Sequence, residues 1–163
     1  GRIFAEKGAA SRDEVFQQFQ PALELKGVAD HGRKIYLERC ASCHRLEGNG
    51  FALGPDLVTV KNTGKEKMLL NILDPNREVA PNYKAFEIEK IDDESLMGLI
   101  TGENAASITL RQAFGKETVI LRSQIKSMKS QGQSLMPEGL ETGLQPQDLA
   151  DLLEFILTAN AEK

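Results

Sequence analysis

Asp30-His31-Gly32-Arg33-Lys34-Ile35-Tyr36-Leu37-Glu38-Arg39-Cys40-Ala41-Ser42-Cys43-His44 is the stretch on which the reading of this chain turns. Gly32, Ile35, Tyr36 and Cys40 recur at helical spacing and Asp30 can cap the start, so a helix is expected to run to about Cys40. That helix ends on C-x-x-C-H. Two thiols at this spacing can add to the two vinyl groups of one haem, while the adjacent imidazole approaches the iron from the proximal side. Cys40 and Cys43 are the only two cysteines in 163 residues, so attachment leaves none for a disulfide. The expectation is one covalent haem c, held by Cys40 and Cys43, ligated by His44, and forming part of the core.

Other uses of the pattern fit less well. A dithiol exchanger places C-x-x-C at the start of a helix that follows a strand, whereas this one closes a helical stretch. Zinc wants four ligands, and beyond Cys40, Cys43 and His44 the chain offers only His31 and no second C-x-x-C.

Composition sets the outer bounds. With 40% hydrophobic and 27% charged residues, the chain suits one globular domain, or one domain and an appendage. A net charge of -4, mixed in sign along the chain, offers no basic face for nucleic acid. No apolar run approaches the roughly 18 residues of a membrane-spanning helix, and the start lacks the charged-then-apolar order of a signal peptide. A mature chain, or a piece cut from a larger one, is expected. Covalent haem attachment occurs outside the bacterial inner membrane, which points to the periplasm.

Outward from the motif, residues from about Arg12 to Leu25 read as a helix with Val15, Phe16, Phe19 and Leu23 on one face, interrupted at Pro21. Ala10 to Val15 suit equally the tail of a preceding helical-repeat domain or a helix packed on this one. Residues 1–28 are therefore an N-terminal helical extension or linker, and 29–163 the haem domain. Lys65 to Leu73 predicts a helix. Pro146 suits a first helical position, Asp148 a first turn, and Leu149, Leu152, Leu153, Ile156 and Leu157 form an apolar stripe. Between these helices Phe86 and Ile88, Ile108 and Leu110, and Thr118 to Leu121 alternate or run as strands, with turns at Asp92-Asp93-Glu94 and Gly115-Lys116. Three or four antiparallel strands are expected at about 84–125, one face on the protein and the other in water. The fold class is thus mainly α with an inserted small antiparallel sheet, α+β.

Four methionines compete for the second axial position of the iron. Met136, in the loop Ser134-Leu135-Met136-Pro137 before the last helix, is the first choice, because Pro137 holds that loop extended. A thioether filling a core gap is the plainer use of the same side chain. Met68 and Met97 sit in apolar runs and read as core, and Met128 suits the surface or a strand end. His31 precedes the very helix that delivers Cys40 and is poorly placed as a ligand.

The order of helix, C-x-x-C-H, Gly54-Pro55-Asp56-Leu57, Met136-Pro137 and C-terminal helix resembles a class I cytochrome c. More narrowly, Gly32-Arg33-Lys34-Ile35-Tyr36, Cys-Ala-Ser-Cys-His, the strand-rich insertion and Ser134 to Leu140 resemble one subfamily. It is the C-terminal haem-binding domain of large dehydrogenase-like proteins of planctomycetes and verrucomicrobia. The resemblance covers about residues 15 to 158. It implies His44 as proximal and Met136 as distal ligand, and a Pro55 carbonyl that accepts a hydrogen bond from the His44 ring. It also implies that Gly32 and Tyr36 meet the last helix near Leu152 and Phe155. His44 and Met136 lie 92 positions apart, farther than in an ordinary class I cytochrome, and the strands fill the difference.

Function follows as expectation. A His/Met-ligated iron is coordinatively saturated in both oxidation states, which suits single-electron relay without catalysis. The family suggests a dehydrogenase module as electron source and another cytochrome as sink. Arg77 and Tyr83 are candidates to hold the haem propionates. The alternatives are a sensor or peroxidase-like site at an open iron, for which His31 is the only spare histidine, and a strand insertion serving as a docking or dimer surface.

Overall fold

The computed structural model describes residues 12–160. The start of the N-terminal extension, including Ala10 and Ser11, lies outside them. Helix α1 occupies residues 12–19 and tightens into a 3-10 turn, Gln20–Leu23, at Pro21. It is followed by α2 (Ala29–Arg39), α3 (Leu57–Val60), α4 (Lys65–Leu73) and, after the sheet, α5 (Pro146–Thr158). The strands are β1 (Lys84–Lys90), β2 (Ser95–Glu103), β3 (Ser107–Arg111), β4 (Glu117–Leu121) and β5 (Ile125–Ser134). No helix among the described residues is long and apolar enough to cross a membrane.

The main core is helical. Leu149, Leu152, Leu153 and Ile156 of α5 bury one face against Ile35 and Tyr36 of α2, Met68, Leu69 and Leu73 of α4, and Phe19 and Ala22. Each such aliphatic side chain contributes about 1.5–3 kcal/mol by leaving water. Helices α2 and α5 cross at Gly32, where a Cβ would run into the Asp151 carbonyl oxygen and stand 2.9 Å from the Leu152 nitrogen. One turn on, the Tyr36 and Phe155 rings meet at 5.6 Å between centroids. This is the crossing that the resemblance implies.

Asp30 does not cap α2. Val28 holds the N-cap position and Asp30 falls inside the first turn. A carboxylate from α5 serves that end instead: Asp151 accepts hydrogen bonds from the Val28 N–H at 2.7 Å, from His31 Nδ1 at 2.7 Å and from Gln147 at 2.8 Å. Burial raises the Asp151 carboxyl, but these hydrogen bonds outweigh it and leave the group below its ordinary 3.8. A depressed carboxyl contributes stability above its unfolded-state value and loses it as pH falls through the folded one. The difference in melting temperature between wild type and Asp151→Asn is therefore expected to be full at neutral pH and to shrink below about pH 4. A pH-independent difference would count against the ionised carboxylate.

The sheet has five strands, all antiparallel, in the order β4-β3-β2-β1-β5. Strands β1 to β4 form a meander, and β5 crosses back to flank β1. The strand region therefore runs to Ser134, beyond the expected limit near 125. Strand β5 has few apolar positions to announce it and forms by backbone pairing along an edge. Ile88, Ile108, Leu110 and Ile120 gather into a small core of their own, separate from the helical one. Met97, expected in the core, is 47% exposed because it falls on the opposite side of the pleat from Leu96.

Candidate haem site

The attachment segment follows directly from the end of α2. After Arg39 the chain turns on itself, with the His44 N–H donating to the Cys40 carbonyl at 2.9 Å. Residues 51–57 are then strapped to it through Phe51 N–H to Ala41 O, Leu53 N–H to Cys43 O and Leu57 N–H to Arg45 O. The Tyr36 hydroxyl reaches the carbonyls of His44 and Asn49 at 2.8 and 3.1 Å. Burial pushes its pKa up to about 12, so it remains a donor.

His44 Nδ1 lies 2.7 Å from the Pro55 carbonyl oxygen. That oxygen can only accept, so Nδ1 carries the proton and Nε2 keeps its lone pair. Burial lowers the His44 pKa, against the Pro55 hydrogen bond and the Asp56 charge, and favours the neutral ring a metal requires. Gly54 leaves room for it: a Cβ there would strike Cε1 and stand 2.9 Å from Nδ1 and 3.0 Å from Nε2.

These groups open on a cavity of about 860 Å³. Cys40, Cys43, His44, Pro55, Tyr83 and Met136 all line it. Leu53, Leu57, Met68, Leu99 and Ile156 supply apolar wall. Two thiols and a neutral imidazole at one apolar space are the groups that hold a covalent haem, the Met136 thioether lines the same space, and the cradle at Gly54 leaves the imidazole its room. The same surroundings suit dithiol exchange poorly: burial, then the neighbouring Cys43, pushes the Cys40 thiol up to about 12.

Met136 arrives by way of the sheet. The pairing of Lys84 with Ser134 ends β5 beside the start of β1, which brings Tyr83 and Met136 to one end of the sheet. The Met136 N–H donates to the Ser134 hydroxyl at 3.0 Å, the Ser134 N–H to the Asn76 side chain at 2.9 Å, and Asn76 in turn to Glu138 at 3.1 Å. Leu99 and Arg39, which line the cavity, and Asn76, which holds Ser134, are not announced by the sequence. Asn76 belongs to a turn-forming run and Arg39 is an ordinary cation in a last helical turn.

Arg77 is not among the lining residues. Its guanidinium engages Asp13 at 2.7 Å and Asp74 at 3.3 Å, so the propionate role expected of it does not follow from its position. His31 also lies outside the lining, turned to Asp151. Met68 is buried at the wall, and Met128 is exposed on β5.

Residues 29–96 match the Cytochrome c family. A Cytochrome c-553-like protein of Synechocystis sp. (strain ATCC 27184 / PCC 6803 / Kazusa) is 35% identical over 60 residues, which are 34% of this chain and 56% of that protein. The chain thus spans little more than half the length of this curated relative. The matched family segment holds Cys40, Cys43, His44 and Pro55 but ends before Met136. Over residues 29–96 the chain is thus similar to the Cytochrome c family, and the cofactor this similarity implies is a covalently attached haem c.

Proposed function

We propose that this chain relays single electrons through a haem c attached at Cys40 and Cys43, with His44 and Met136 as axial ligands. The observation that carries the reading is the convergence of Met136 on the cavity that the C-x-x-C-H segment lines. When bound, haem supplies a one-electron couple, and a methionine ligand raises its potential relative to two nitrogen ligands.

The protein's own groups do the rest. Pro55 fixes the tautomer and orientation of His44 and raises the basicity of Nε2. Ser134 and Asn76 restrain the Met136 loop. The apolar wall keeps water from the site, so little reorganises when charge arrives. Tyr83 remains the partner for a propionate, since it lines the cavity. Redox partners are implied by such a relay, a dehydrogenase module as source and another cytochrome as sink, in the periplasm. The open-iron reading lacks its acid–base group, because His31 is held by Asp151 outside the cavity.

The test is the optical spectrum of the purified protein, ferric and ferrous. Covalent low-spin haem with the weak long-wavelength sulfur-to-iron band in the ferric state is expected. A high-spin ferric spectrum that shifts at once on adding cyanide or peroxide overturns the relay.

A further inference from the structure

The loop that carries Met136 is gripped by two arginines from outside it. Arg39, the last residue of α2 and the neighbour of Cys40, directs Nη1 to the carbonyls of Leu140 at 2.6 Å and Thr142 at 2.8 Å. Arg12 of α1 donates Nη1 to the Leu73 carbonyl at 2.8 Å and Nη2 to Glu141 Oε1 at 2.8 Å, an ion pair whose side chains are only 14% and 9% exposed. Three consecutive residues are therefore held from two sides: Arg39 takes the carbonyls flanking Glu141, and Arg12 takes its carboxylate. Charge-assisted hydrogen bonds are the strong ones, and more so when partly buried. Leu140 and Glu141 lie four and five residues beyond Met136, and Leu140 itself lines the cavity. Polar contacts bear much of the hold on such a loop, so it opens locally when they are removed, before the helical core does.

We propose that Arg39 and Arg12 are positioning residues that latch the Met136 loop closed, so that α2 and, to a lesser extent, α1 govern how readily small anions reach the iron. The inference rests on the reading of Met136 as a ligand. Nothing in the family match reaches this contact, since Arg12 and residues 140–142 all lie outside residues 29–96.

Cyanide binding to the ferric protein is to be timed by stopped flow in wild type, Arg39→Ala, Arg39→Lys, Arg12→Ala, Glu141→Gln and the Arg12→Ala/Glu141→Gln double variant. Hydrogen–deuterium exchange is to be followed in the same proteins over residues 135–145. Loss of two charge-assisted bonds in Arg39→Ala is expected to speed cyanide binding roughly tenfold or more. Arg39→Lys is expected to recover part of that. Arg12→Ala and Glu141→Gln are expected to accelerate binding less, with effects that fail to add because each breaks the same pair. Exchange rises over 135–145 while α2 and α5 stay protected. Cyanide rates within about twofold of wild type in both arginine-to-alanine variants, each folded by circular dichroism, overturn the latch. Absence of the sulfur-to-iron band in wild type overturns the Met136 reading alone, and exchange over 135–145 in the variants then decides the latch.

Discussion

Met136→Ala is expected to abolish the sulfur-to-iron band and to lower the reduction potential by on the order of 0.1 V, a fraction of the about 0.8 V over which axial ligands move haem potentials. The covalent haem should remain, because attachment uses Cys40 and Cys43 and the His44 ring keeps its bond to Pro55. Met136 is half-buried in a loop, apart from both apolar clusters, so its truncation removes the proposed ligand with little loss of packing. Cyanide should then bind the ferric protein without first displacing a thioether. Difference spectra and a potentiometric titration read all three effects. An unchanged spectrum in Met136→Ala would assign the thioether to simple packing. Met97 and Met128 are exposed on the sheet, and Met68, which also lines the cavity, is packed into the helical core within α4.

The parts of the fold that were legible in the sequence are those whose signal is local and periodic. Helix α5 announces itself by Pro146 and its apolar stripe, α4 runs over the expected residues, and the C-x-x-C-H segment names its own chemistry. Strand β5 does not, because Lys126 to Ser134 carries Met128 among polar residues and its pairing with β1 is made by backbone groups. Yet that pairing is what brings Met136 to the cavity, so the route of the ligand candidate was invisible while the residue itself was not. Met97 misleads for a related reason. In Leu96-Met97-Gly98-Leu99-Ile100 every residue is apolar or glycine, and only the register of Glu87 opposite Met97 tells which face it takes. Arg77 misleads because, besides the nearby Asp74, it pairs with Asp13, 64 positions away, a partner that no local pattern encodes. The same holds for Arg39, whose carbonyl partners are 101 and 103 positions distant.

Gly32→Ala carries the largest expected loss of stability. In an unhindered helix this substitution gains about 0.5–1 kcal/mol, because glycine is the poorer helix former. Here the sign reverses. The added Cβ meets main-chain atoms of Asp151 and Leu152 in α5, which cannot rotate aside as a flexible side chain would. Overpacking of this kind costs about 1–3 kcal/mol or more. Moving α5 to relieve it would loosen the Tyr36–Phe155 contact and the hydrogen bonds that Val28 and His31 make to Asp151 together. Against a total stability of about 5–15 kcal/mol, a loss near 3 kcal/mol lowers the melting temperature by roughly 10 °C. The haem cavity should suffer with it, since Ile156 of α5 lines the wall and Tyr36 holds the His44 carbonyl. Thermal melts of the haem-bearing protein, followed at the haem band and in the far ultraviolet, should fall together. A melting temperature at or above that of wild type would mean that α2 and α5 part at little cost, and that the crossing at Gly32 does not govern the site.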